Sequence, residues 1–228
     1  MKLAYIIQSR MNSERLPGKV LRPVAGKPML QYLLESVRQC KQDGRIIVAT
    51  SDRETDTPIA TFCETVAVDC YRGELENVAS RYHAIIRAYQ LDAFVRICGD
   101  SPLLDHRLVA HGIALFRQES PDLVTNVLPR SFPKGQSVEV VNAHTFVRNY
   151  PKMKTKEDLE HTTGYFYRHK DRFTIRNFKA DADHGHLQLS VDDKADFLRF
   201  SRIIGKLQKP HWQYDWQTFV SLSEACST

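Results

Sequence analysis

The chain is poor in most of the features that mark a specialised protein class. Cysteine is scarce: Cys40, Cys63, Cys70, Cys98 and Cys226 are odd in number and none stands at the short paired spacing of a zinc or redox motif. A disulfide-stapled scaffold is therefore excluded, and reduced thiols in the cytoplasm are the simple expectation. No apolar run approaches the roughly 20 residues needed to cross a bilayer, and Arg10 comes too early for a secretory signal, so no membrane partner is expected. Charge of one sign is also in short supply. Thirty-two Lys and Arg against 27 Asp and Glu leave a formal +5, too thin for a nucleic-acid stripe but favourable to small anions. Ten glycines and ten prolines, scattered through 228 residues with 42% hydrophobic and 26% charged composition, exclude collagen-like and low-complexity chains.

What is present is alternation. Short apolar runs at 3–8, 45–50, 66–70 and 93–98 read as strands, and helical spacing appears at 28–40, 53–64, 75–90 and 108–118. This predicts a parallel sheet with crossover helices, its strands buried on both faces and so only weakly alternating. After Pro121 the rhythm changes. Candidate strands at 123–127, 138–141, 173–178 and 187–190 surround a helix at 156–168, and a last helix is expected at 194–207. Pro129, Pro133 and Gly135 make 128–136 a loop at the sheet's edge or mouth. No linker or repeat divides the chain, so one α/β domain over 1–228 is expected, with a mixed second-half extension.

Three stretches could carry chemistry. The first runs Gln8, Ser9, Arg10, Met11, Asn12, Ser13, Glu14, Arg15, Leu16, Pro17, Gly18, Lys19, beginning where the first strand ends. In open α/β sheets, ligands gather beyond the carboxyl ends of the strands. Arg10, Arg15 and Lys19, with the Ser9 and Ser13 hydroxyls, suit a triphosphate, although a solvated basic loop has the same composition. Neither GxxxxGK[ST] nor GxGxxG is present, so side chains rather than a glycine cradle would hold the phosphates. The second stretch is Cys98, Gly99, Asp100, Ser101, Pro102, Leu103, Leu104, Asp105, where Asp100 faces the same edge and Asp105 reads as a helix cap. The third is Leu189, Ser190, Val191, Asp192, Asp193, with Asp192 as a second carboxylate for a shared Mg²⁺ and Asp193 as the following cap.

Three further features read as structural. Cys98 is expected to be a small buried residue and no nucleophile. His184 and His186 lack a third ligand for zinc. Tyr82, Ile85, Ile86 and Tyr89 lie on one helical face and read as core or dimer-face residues.

Taken in order, these stretches resemble the cytidylyltransferases that make CMP-sugars, above all the spore-coat polysaccharide branch. The resemblance spans nearly the whole chain. It includes residues 6–21, Gly26 to Leu30 by way of Lys27, Pro28 and Met29, then Tyr71, Arg72, Gly73, Glu74, and residues 98–103. It continues through Ser137, Val138, Glu139, Val140, then Glu160 with His161, and residues 186–192. It implies a Rossmann-like, GT-A-like nucleotidyltransferase fold, with 1–120 as the nucleotide-binding half and 121–228 as the acceptor-binding and dimerisation half that supplies the second metal ligand.

The roles it implies are specific. Gln8, Ser9, Arg10, Arg15, Lys19, Arg72, Gly73 and Asp100 would bind CTP, with Arg10, Lys19 and Asp100 catalytic and Asp100 and Asp192 holding Mg²⁺. The acceptor, a small acidic sugar, would meet Glu139, His161 and either Arg130 or Lys134, an arginine being the preferred partner of a carboxylate. Glu139 could equally face solvent, and His161 could be a packed helix residue. A homodimer is implied as well. The chain departs from the family pattern at Ser137, which replaces an acidic residue, at Gln188, which replaces a basic one, and at Gly164, which replaces a proline, so its acceptor pocket should differ. A sugar-phosphate, alditol-phosphate or phosphonate acceptor, and a nucleotide-binding subunit without catalysis, are the alternatives.

Overall fold

In the computed structural model, which describes residues 1–225, the alternating half begins with β1 (Leu3–Gln8), the hairpin strands β2 (Pro23–Val24) and β3 (Lys27–Pro28), and α1 (Met29–Arg38). It continues through β4 (Arg45–Ser51), α2 (Thr57–Thr65), β5 (Asp69–Gly73), α3 (Val78–Tyr89), β6 (Ala93–Cys98) and α4 (His106–Glu119). The second half adds β7 (Leu123–Thr125), β8 (Glu139–Asn142), α5 (Ala143–Asn149), α6 (Lys156–Glu160), α7 (Gly164–Arg168), β9 (Ile175–Asn177), α8 (Lys194–Lys206) and α9 (Trp216–Glu224). Cys226, expected as a free thiol, lies outside the described residues.

Seven strands form one sheet in the order β5-β4-β1-β6-β8-β7-β9. The four from β5 to β6 are parallel; β8 runs antiparallel between β6 and β7, and β9 is parallel to β7. This is the expected α/β architecture with its mixed extension. The chain leaves β1 outward to β4 and β5, then returns across β1 to β6, which opens a crevice beyond the carboxyl ends of β1 and β6.

Side-chain alternation builds two cores, one on each sheet face. Leu3, Tyr5 and Ile7 join α1, α4, α8 and α9 in one, whereas Ala4 and Ile6 join α3, α5 and α7 in the other. The basic loop after β1 belongs to the first face, because Leu16 and Val20 anchor in that core. Val78 and Tyr82 of α3 belong to the second.

Three expected elements are corrected. The strand expected at 66–70 forms at Asp69–Gly73, since Val66 and Val68 spend their apolar side chains packing beside α2, and pairing with β4 starts only at Asp69. The helix expected at 156–168 is broken into α6 and α7, where buried, β-branched Thr162 and Thr163 sit between them. Residues 187–190 are not a sheet strand; their backbone bonds go to Lys134 in the proline-rich loop, from Leu189 N to Lys134 O at 2.8 Å and from Lys134 N to Leu187 O at 2.9 Å. Gly135 makes that contact possible. Its φ is +95°, and a Cβ there would lie 2.5 Å from the backbone nitrogen of Ser190.

Candidate active site

The crevice holds two adjoining compartments. The larger, about 450 Å³, is lined by the end of β1, the basic loop, α3 and the Glu160–His161 corner. The smaller, about 210 Å³, lies between β6, the proline-rich loop and β8. Arg96, Cys98, Asp100 and Asp192 line both and form the junction.

At that junction Lys19, 8% exposed, is the centre of charge. Its ammonium donates to Val191 O at 2.6 Å and stands 3.4 Å from Asp100 Oδ2 and 3.5 Å from Asp192 Oδ1. The three hydrogens of the amine thus meet three acceptors from segments distant in sequence. Val191 N donates to Asp100 O at 2.8 Å, tying the last of these segments to the loop after β6. Arg15 reaches Asp192 Oδ2 at 3.3 Å, and Arg10 reaches Glu160 Oε1 at 3.4 Å. Asp193 turns the other way and caps α8 by accepting from Asp196 N, and Asp105 caps α4.

Asp100 and Asp192 therefore converge on one cation. A hard divalent ion bound together with phosphates takes one or two carboxylates and keeps several waters, and this pair fits that donor set. Both carboxylates remain about 30% exposed, so each can accept a further ligand. Among the described residues no group of three or more His, Cys, Asp or Glu side chains forms an all-protein cage.

Beneath the junction lies a buried polar network. Arg96 and Glu139 are cross-strand partners on β6 and β8, and their side chains pair at 2.5 Å. Burial opposes the charge on Glu139, but Arg96 and the hydroxyls of Tyr167 and Thr163 outweigh it and hold the carboxyl below its usual range. Arg96 Nε also donates to Gln8 Oε1 at 3.2 Å, as does Tyr82 OH at 3.3 Å. Burial pushes the Cys98 thiol up to about 11, which keeps it protonated.

The expected residues fall into three groups. Gln8, Ser9, Arg10, Arg15, Lys19 and Asp100 all line the larger compartment, and Asp192 joins them. Arg130 and Glu139 line the smaller one. Glu139 does not face solvent, being 3% exposed. His161 is exposed and stands in the larger compartment beside Glu160, away from the acceptor-side residues.

Arg72 and Gly73 are not brought to the cleft. The Arg72 guanidinium is spent on Ser51 O at 3.1 Å and Arg53 O at 2.8 Å, where it braces the end of β4. Gly73 instead leaves room for the stem of Arg81, whose Cγ would lie 3.0 Å from an added Cβ. Arg81 itself was not expected. It is 2% exposed and lines the larger compartment, and the signal that could have found it is a cation beside the apolar stripe of α3.

Two of the three departures from the family pattern, Ser137 and Gln188, lie next to candidate functional groups. Ser137 Oγ accepts from Arg130 Nη2 at 3.1 Å, and Gln188 Nε2 donates to Asp192 Oδ2 at 2.9 Å.

A cytidylyltransferase family model matches residues 4–200, which include both compartments. The chain belongs to the cytidylyltransferase family. Among its relatives is the spore coat polysaccharide biosynthesis protein SpsF of Bacillus subtilis, 32% identical over 203 residues, 86% of this chain and 83% of that one. A cytidylyltransferase from Leptospira borgpetersenii superimposes with a TM-score of 0.92 at 22% identity, covering 100% of this chain and 95% of the other. A CMP:2-keto-3-deoxy-manno-octonic acid synthetase complexed with CTP gives 0.69 at 18% identity, covering 90% and 99%. The fold of this cytidylyltransferase is thus that of the nucleotidyltransferases.

Proposed function

We propose that this cytidylyltransferase transfers CMP from CTP to a small acidic sugar of the ulosonic or nonulosonic type, releasing pyrophosphate, in surface polysaccharide biosynthesis. The reading rests on one observation above the others: two compartments share a wall made of Asp100 and Asp192, and Lys19 joins the two acids. CTP occupies the larger compartment, with its triphosphate along Arg10, Ser13, Arg15 and Lys19. The acceptor occupies the smaller one, which Arg130 and Lys134 line together with Ser101, Ser137 and Ser190. An anionic acceptor suits this lining, since Arg130 has no carboxylate partner among the described residues and its Nη1 is buried without a hydrogen bond. The structural neighbour complexed with CTP, and named for a keto-deoxy acid, supports the same pair of substrates.

Asp100 and Asp192 are the residues that would hold Mg²⁺, which when bound would withdraw charge from the α-phosphate. Lys19, Arg10 and Arg15 offset charge on the departing pyrophosphate, and the compartment walls set the acceptor oxygen in line with the α-phosphorus. No protein nucleophile is needed, consistent with the protonated Cys98. Residues 1–120 serve mainly the nucleotide and 121–228 the acceptor, within one domain acting as a cytoplasmic homodimer.

The experiment is pyrophosphate release from CTP and Mg²⁺ across a panel of ulosonic, nonulosonic and phosphorylated acceptors. Asp100→Asn and Lys19→Ala should each lose about 100-fold or more in kcat, the scale of removing one transition-state charge contact. Undiminished turnover in both variants would refute the mechanism.

A further inference from the structure

Asp56 stands where a carboxylate ordinarily caps a helix, and it does not cap one. It is the N-cap residue of α2, yet its side chain takes none of that helix's free N–H groups. It turns inward instead and is 1% exposed. Oδ1 accepts from Met11 N at 2.7 Å, and Oδ2 accepts from Ser51 N at 3.2 Å and from the Ser51 hydroxyl. A buried carboxylate is costly unless its acceptors are filled. Here the filling comes from the end of β4 on one side and from the basic loop on the other, so α2 forgoes its cap for a contact outside the helix.

Met11 is the residue on which the basic loop closes. Its carbonyl accepts from Ser13 N at 2.9 Å and from Gly18 N at 2.8 Å, which folds 11–18 into a ring. Ser13 and Arg15 lie within that ring and Lys19 follows it directly. Leu16 and Val20 fasten its far side in the core. On its near side Ser9 N is tied to Ala49 O at 3.1 Å, and two residues on Met11 N is tied to Asp56. One peptide unit away from the ring's two closing bonds, Asp56 is thus the peg of the loop. Its charge also reaches a wall of the larger compartment: burial works against the charge on Arg81, and Asp56 and Asp52 are among the groups that favour it.

Resting on the nucleotide reading above, we propose that Asp56 is a positioning residue for the triphosphate: by holding the Met11 amide it sets the ring that carries Ser13 and Arg15, and leads into Lys19, before the nucleotide arrives. Asp56 itself lines neither compartment. Its effect passes through Met11, and it strengthens binding because a loop already ordered has less freedom to lose when phosphate is bound.

The test is calorimetric titration of CTP and inorganic tripolyphosphate into the wild-type protein, Asp56→Ala, Asp56→Asn and Ser51→Ala, with amide hydrogen exchange and unfolding temperatures of the ligand-free proteins. Ser51→Ala takes one donor from the same carboxylate without touching Met11, so it reports on stability alone. In Asp56→Ala the amides of residues 11–18 should exchange faster while the interior of β1 stays protected, and affinity for both ligands should fall by about tenfold or more. Asp56→Asn returns one acceptor to the loop, should recover part of that affinity, and serves in place of the alanine variant if the latter does not fold. Ser51→Ala should melt lower than wild type yet bind both ligands as before. The proposal is overturned if a folded Asp56 variant binds tripolyphosphate as tightly as wild type, if exchange in the loop is unchanged, or if Ser51→Ala weakens binding as much as Asp56→Asn does; each would reduce Asp56 to a structural residue. A wild-type protein that binds neither CTP nor tripolyphosphate would sink the nucleotide reading itself, and this inference with it.

Discussion

Glu139 and Arg96 show what a single side chain can be worth at this site. Their ion pair is buried at 3% exposure for Glu139, and Tyr167 and Gln8 complete its hydrogen bonding. Removing one partner from such a pair strands the other charge in the interior, which typically costs about 3–5 kcal/mol. Glu139→Gln keeps the shape but not the charge, so urea unfolding should report a loss of about 3 kcal/mol. Read as a string of letters, Glu139 is only an acidic residue on a short strand; that its partner is Arg96 depends on the antiparallel register of β8 on β6, which no local pattern encodes. That Arg10, Arg15, Lys19, Asp100 and Asp192 gather at one sheet edge was legible because each lies on a segment that follows an apolar run. Arg81 was not, since a charge within a helix normally marks the solvated side. The family resemblance implies a nucleotide contact for Arg72, whereas the backbone carbonyls of Ser51 and Arg53 claim its guanidinium.

At the scale of elements, the proline-rich loop and the segment before α8 stand or fall together. Lys134 exchanges backbone hydrogen bonds with Leu187, Leu189 and Ser190, and Gln136 is clamped between Asp105 N at 2.9 Å and Leu103 O at 2.7 Å. Asp192 sits two residues beyond Ser190, so its position is inherited from this contact. Gly135→Ala would combine a strained positive φ with a clash at Ser190 N. We expect it to lower kcat in the pyrophosphate assay by more than its loss of melting temperature explains, while Gly205→Ala, within α8 and with nothing within 4 Å, leaves kcat unchanged and raises the melting temperature slightly. Strands β1 and β6 were readable to the residue because both sheet faces bury them, giving largely apolar runs interrupted in β6 only by Arg96. The second half was harder, since its short strands carry three or four residues and its segment 187–190 pairs with a loop rather than the sheet.

For the whole molecule, stability toward acid is set in part by the seam between the ends of the chain. His211, near the C-terminal helix, packs against Tyr32 of α1, and its Nε2–H donates to Tyr32 O at 2.8 Å. Burial pushes its pKa down from 6.5 to about 4, against the opposing pull of the Tyr32 carbonyl and Glu35. The folded protein therefore holds the ring neutral, and the unfolded chain takes up a proton first. Stability from this residue is complete above pH 6.5 and is lost as the pH falls toward 4, by about 3 kcal/mol in all. Denaturation curves from pH 7.5 to 4.5 should show that decline, and His211→Gln, which cannot titrate, should flatten it.

The lysine at the junction draws its three acceptors from near position 100 and from 191 and 192, the latter two synthesised late. A polypeptide still on the ribosome can complete β1, the basic loop and the turn after β6 while nothing yet stands opposite Asp100. Any affinity for metal-bound nucleotide that depends on both carboxylates should accordingly switch on abruptly, once the segment carrying Asp192 has emerged from the exit tunnel.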